Sequence, residues 1–207
     1  MGSLFYYIRM TNPEEVKASI QQRNVMPTTI KDLYVITIKE ISDERGIIRE
    51  YFRKSSFDIA GVNTLGPWAQ INVTETKQGA IRGLHAENMQ KLIGIIEGEG
   101  FGAYVDVRDN SSTKGVVFTV KLTKGTQVIV PKGVCNGFQS TSKGTSQYLY
   151  CFDAEWVVGM PGYSVNPLDP ELNIPWPIKI LESDYHLISR KDASAPLLKE
   201  VLENMEK

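Results

Sequence analysis

Ala80–Val107 reads AIRGLHAENMQKLIGIIEGEGFGAYVDV, and its punctuation decides the fold class. Ala80–His85, Leu92–Glu97 and Gly102–Val107 are each of strand length, and Gly98-Glu99-Gly100 separates the last two as a turn. The same rhythm runs upstream. Leu33–Ile38 is rich in β-branched and aromatic residues, Ile47–Arg53 is its expected return strand across the turn Asp43-Glu44-Arg45-Gly46, and Trp68–Thr74 follows. Downstream come Val116–Leu122, Gln127–Val130 and Gln147–Phe152, with breaks at Asp109-Asn110, Lys124-Gly125 and Lys143-Gly144. Many short strands without crossover helices predict a mainly β protein, a jelly-roll sandwich or barrel rather than a βαβ sheet.

The two ends read differently. Asn12-Pro13-Glu14-Glu15 has a capping side chain, a proline at the first helical position and acids at the positive end of the helix dipole. It predicts a helix to about Gln22, followed by a loop over Val25–Ile30. Residues 1–31 are therefore expected to be an N-terminal extension with a short helical arm, and 32–207 the β domain. After Trp156 five prolines (Pro161, Pro167, Pro170, Pro175, Pro177) predict an ordered strap. A C-terminal helix then starts with Ser194 as cap and Pro196 in its first turn, and puts Leu197, Leu198, Val201 and Leu202 on one face.

Composition narrows the function classes. A chain of 207 residues, 42% hydrophobic and 23% charged, can bury a proper core. A net charge of −1 lacks the basic excess of a nucleic-acid surface. No apolar run has the length of a membrane span, and the N-terminus lacks the signal-peptide pattern, so a soluble cytoplasmic protein is expected. Cys135 and Cys151 match no zinc spacing and read as core residues.

The chemistry concentrates in Ala80–Lys91, which holds Arg82, His85 and Lys91. The frames around Gly79…His85…Glu87 and Gly125…Pro131-Lys132-Gly133-Val134-Cys135-Asn136 resemble the two motifs of the cupin jelly rolls, with Asn136 where that superfamily commonly has a metal-binding histidine. One imidazole and an amide are a poor donor set, so no metal is expected. That leaves His85 either as a general base, a role suited to imidazole near neutrality, or as a histidine satisfied inside the core. Lys91 and Arg82 read equally as site cations or as ordinary surface charges. Strict alternation places Arg82 and His85 on opposite faces, and Gly83 is a candidate bulge that would re-aim them.

Several motifs occur together in order: Asp43-Glu44-Arg45-Gly46, Arg82-Gly83-Leu84-His85, Pro131-Lys132-Gly133…Gly137-Phe138, Asn173-Ile174-Pro175-Trp176-Pro177 and Ser189-Arg190-Lys191-Asp192 before Pro196-Leu197. From about Asp32 to Glu200 the chain resembles the dTDP-4-dehydrorhamnose 3,5-epimerase family. The resemblance implies a cupin-like jelly roll, a nucleotide-sugar substrate, no cofactor and a homodimer. It implies His85 as catalytic base, Asp169 as the carboxylate that orients it, Lys91 near the keto oxygen and Tyr150 as the general acid on the other face of the sugar. Tyr148 shares the strand face of Tyr150, so the choice between them rests on the resemblance. Arg45, Glu50, Gln70, Asn72 and Arg82 fall on positions that contact the base and diphosphate, some across the dimer.

Three positions depart from the family pattern. Asn136 replaces a histidine beside the substrate, Ile48 stands where an aromatic often stacks on the base, and Trp156 falls near a tyrosine that packs against the sugar. The implied chemistry is epimerisation at C3, C5 or both; the alternatives are a C3-only epimerase acting on a modified nucleotide sugar and a sugar-nucleotide-binding cupin without turnover.

Overall fold

The computed structural model describes residues 23–205 apart from 60, 63 and 64. The helix expected from Asn12 to Gln22 lies outside them. The strands are β1 (Arg23–Pro27), β2 (Tyr34–Ile38), β3 (Glu40–Asp43), β4 (Gly46–Arg49), β5 (Gln70–Lys77), β6 (Ile81–Glu87), β7 (Lys91–Glu97), β8 (Gly100–Asp106), β9 (Val117–Leu122), β10 (Thr126–Val130), β11 (Val134–Ser140), β12 (Thr145–Phe152) and β13 (Gly162–Ser164). Among the described residues three helices accompany them, α1 (Lys54–Ile59), α2 (Arg190–Ala193) and α3 (Leu198–Met205), with a 3-10 turn at Pro170–Leu172. Among the described residues no helix is long and apolar enough to cross a membrane.

Two antiparallel sheets face each other, one in the order β1-β2-β10-β7-β12-β5 and the other β13-β6-β11-β8-β9. Between them lies a core that includes Val35, Ile93, Ile95, Tyr104, Val128, Phe138 and Tyr148. The outer face of the first sheet carries Ile36, Leu92, Ile129 and Cys151, covered by Phe57, Val62 and Leu65 from the segment around α1. The outer face of the second carries Leu84, Ala103, Val105 and Cys135, covered by Val165, Leu172, Leu198 and Val201 from the proline-rich strap and α3. Central strands are thus buried on both faces, which is why Lys91–Glu97 is a nearly continuous apolar run rather than an alternating one.

Several boundaries differ from the sequence-based expectation. Val25–Ile30 is not simply a loop, because β1 pairs with β2 from Arg23↔Ile38 to Pro27↔Tyr34; Pro27 is tolerated because β1 is an edge strand. The return strand stops at Arg49, where β3 and β4 form a separate two-stranded hairpin. Ser194 does not start the last helix. It closes α2, its backbone N–H reaching the Arg190 carbonyl, whereas Ser189 caps the start of α2 through Asp192 N–H at 3.0 Å.

One irregularity aims the site. Asn136 pairs with His85, yet Phe138 pairs with Arg82, so β6 carries one residue more than β11 across this interval. The extra residue returns Arg82 and His85 to one face despite their odd spacing. Gly83 permits it: φ is +118°, and a Cβ there would lie 2.5 Å from Gly137 Cα.

Candidate active site

A cleft opens between the two sheets, lined by Arg82, His85 and Glu87 of β6, Asn136 and Phe138 of β11, Lys91 of β7, and Tyr150 and Phe152 of β12. His85 and Tyr150 therefore approach it from opposite sheets.

The His85 ring is held from behind. Its Nε2 lies 2.7 Å from Asp192 Oδ1. Burial pushes the Asp192 carboxyl upward, but the His85 contact, Ser189 and the Gly83 backbone N–H outweigh it and hold the group below the usual range. An ionised carboxylate only accepts, so Nε2 carries the hydrogen and Nδ1 of the neutral ring keeps a free lone pair. Asp192 owes its place to Ser189 and to Asn166, whose Nδ2 donates to Ala193 O at 2.9 Å and whose N–H donates to Pro196 O at 2.9 Å.

Asp169 is not the carboxylate that orients His85. Its Oδ1 accepts from Glu171 N–H at 2.9 Å and its Oδ2 from Leu198 N–H at 2.8 Å, so it caps the 3-10 turn and the first turn of α3 together. The sequence contained the correct acid at the end of Ser189-Arg190-Lys191-Asp192, but nothing local marks its role.

On the facing sheet Tyr148 and Tyr150 share the inner face of β12. Tyr148 is fully buried, stacked on Phe138 with ring centroids 4.1 Å apart. Tyr150 lies nearer the mouth and lines the cleft. Burial raises its phenol above the ordinary value, and Arg82 works against that shift; the group stays protonated and able to donate. Lys91 is 3% exposed and donates to Asn136 Oδ1 at 2.5 Å. It also pairs with Glu87, a cleft residue that the sequence marked only as part of the first cupin-like frame.

The nucleotide-contacting candidates separate. Arg82 is in the cleft, its Nε donating to Thr76 Oγ1 at 2.8 Å. Asn72 pairs with Tyr150 and Gln70 with Phe152, so both continue the same inner face along the edge strand β5. Arg45 sits on the exposed β3–β4 turn and pairs with Asp43. Glu50 is tied to Arg23 and Arg53. Trp156 is half exposed, its backbone N–H donating to Gln70 Oε1 at 2.7 Å. Neither Arg45, Glu50 nor Trp156 lines the cleft of this chain. Among the described residues no three His, Cys, Asp or Glu side chains gather as a metal donor set.

Residues 27–200 match the family model described as dTDP-4-dehydrorhamnose 3,5-epimerase. The chain belongs to that family. It is 32% identical to the dTDP-4-dehydrorhamnose 3,5-epimerase of Salmonella typhimurium over 86% of this chain and 97% of the relative. With the dTDP-4-dehydro-6-deoxyglucose 3-epimerase of Streptomyces bikiniensis the identity is 33% over 76% and 80%. Among solved structures it superposes on a dTDP-6-deoxy-D-glucose-3,5-epimerase of Legionella pneumophila in complex with dTDP-4-keto-L-rhamnose, with TM-score 0.77 and 30% identity over 87% and 97% of the two chains. A 4-keto-6-deoxy sugar epimerase from the novobiocin gene cluster of Streptomyces spheroides gives TM-score 0.80 at 26% identity over 89% and 92%. The cupin-like jelly roll implied by the sequence motifs is the fold of this epimerase family.

Proposed function

We propose that the protein inverts C3, or C3 and C5, of a dTDP-4-keto-6-deoxyhexose by moving protons through an enolate. The observation that carries this reading is His85 on one sheet, oriented by Asp192 of α2, facing the Tyr150 phenol on the other sheet. The 4-keto group acidifies the neighbouring C–H bonds. His85 Nδ1 takes such a proton, and the C–H electron pair passes into the carbonyl as an enolate. Lys91 stabilises the oxyanion, a task for which one placed donor is typically worth about 10²–10³ in rate. Tyr150 gives its proton to the opposite face of the carbon, which inverts the centre; His85 then releases the proton it took to water, and Tyr150 is reprotonated from water. A positioned acid or base usually contributes about 10²–10⁴. Arg82, with Gln70 and Asn72 beyond it, holds the diphosphate and base so that the sugar meets His85. Every proton in this sequence is carried by the protein's own groups or by water.

The exposed Ile47 and Ile48 of the β3–β4 hairpin and the exposed Ile71 and Val73 of edge strand β5 favour a homodimer, in which Arg45 serves the site of the second copy. A nucleotide-sugar substrate supports a cytoplasmic location.

Relatives named as 3,5-epimerase and as 3-epimerase resemble the chain equally well, at 32% and 33% identity. The number of inverted carbons is therefore read directly, by incubating dTDP-4-keto-6-deoxyglucose with the protein in D2O and counting deuterium by mass spectrometry and NMR. Deuterium with inverted configuration by NMR at C3 alone means a C3 epimerase, and at both carbons a 3,5-epimerase. Tight dTDP binding without any exchange would mean a nucleotide-sugar binder and would overturn the reading.

A further inference from the structure

The Lys91 ammonium has three hydrogens and three acceptors: Asn136 Oδ1 at 2.5 Å, the His85 carbonyl at a longer 3.5 Å, and Glu87 Oε2 in direct contact. A cation this well buried stands at a large desolvation cost unless an opposite charge is near. The charged and titratable groups lining the cleft with it are Arg82, His85 and Glu87 from β6 and Tyr150 from β12, while β11 contributes the neutral Asn136. Glu87 is the one carboxylate among those lining residues; Asp192 is already committed to the far side of His85.

The three acceptors are not equivalent. Asn136 is 6% exposed within a strand, and the His85 carbonyl is backbone; both are fixed. The Glu87 side chain is 23% exposed, at the last residue of β6, and is the one that can yield. We infer that Glu87 is a positioning residue for the reaction: it is the counter-ion that offsets the burial of the Lys91 ammonium and aims it, and it cedes its hydrogen bond to the ketone oxygen as negative charge grows there. The inference rests on the epimerase reading, in which Lys91 faces that oxygen.

The test compares Glu87→Gln, which keeps size and an acceptor oxygen but removes the charge, with Glu87→Asp, which keeps the charge. Solvent-deuterium exchange into dTDP-4-keto-6-deoxyglucose is followed from about pH 6 to 9, with thermal melts to confirm folding. In Glu87→Gln, kcat should fall by about 10-fold or more on the alkaline side and recover toward acid, with KM little changed; Glu87→Asp should restore the wild-type profile. A Glu87→Gln profile that superimposes on wild type, a loss equal at every pH, or a loss confined to KM would overturn the role of Glu87 while leaving the epimerase intact. Wild-type protein that binds dTDP but exchanges nothing would remove the epimerase reading and this inference with it.

Discussion

His85 Nε2 and Asp192 Oδ1 lie 2.7 Å apart across 107 residues of chain, joining the middle of β6 to the four-residue helix α2. The contact fixes which ring nitrogen is free to act. Asp192→Asn keeps the shape but allows the amide to present its N–H to the ring, which favours the wrong tautomer. Exchange at C3 should fall by about 10²–10⁴-fold with dTDP affinity unchanged. Isothermal titration beside the exchange assay separates the two effects; parallel losses of binding and rate would argue that Asp192 merely holds the fold.

Asp169 gives the converse result. Its carboxylate caps two turns, and neither it nor the residues it binds line the cleft. Asp169→Ala should lower stability by about 1–2 kcal/mol per lost cap, seen in urea unfolding, while the exchange rate per folded molecule stays near wild type. A catalytic collapse without loss of stability would reinstate Asp169 as the acid behind His85.

Tyr150 sits on the sheet opposite His85. Tyr150→Phe removes the proton donor for one face and leaves the base on the other. The C3 hydrogen should still exchange with solvent, because His85 can return what it took, but no inverted sugar should form. NMR of the product distinguishes exchange with retention from exchange with inversion. Normal inversion in the variant would assign the second proton to another group.

Stability should depend on acid through Asp106, which is fully buried and bound by Arg108, Ser111 and Thr113. Burial pushes its carboxyl up, but these partners outweigh it and hold the group down to about 2. Because the folded value lies below the unfolded one, the stabilisation is complete above the ordinary carboxylate range and is lost as pH falls toward about 2. Asp106→Asn should flatten that part of the curve in urea melts between about pH 5 and 2; an unchanged acid limb would deny Asp106 this part.

The sandwich was legible because most of its strands are short, apolar and cut by glycine or polar turns. β11 was harder to read as a strand: Val134–Ser140 is buried along its whole length, and its polar and small residues break the alternation. The helix Lys54–Ile59 is only six residues long and has no acid in its first turn to announce it. Within the site, Arg82, His85, Lys91, Asn136 and Tyr150 line one cleft, and the extra residue in β6 around Gly83 is what turns Arg82 and His85 to the same side. Asp192 could not be told from Asp169 by local pattern, since one lies within a short helix and the other caps a 3-10 turn, and only the fold decides which one reaches the imidazole.

The most direct check on the central claim is a solvent-exchange measurement on His85→Ala. Wild-type and variant protein are incubated with dTDP-4-keto-6-deoxyglucose in D2O, and deuterium at C3 and C5 is followed by NMR at matched dTDP occupancy. Incorporation with the wild type and none with His85→Ala is the predicted result; incorporation at the wild-type rate in the variant would contradict the assignment of His85 as the base.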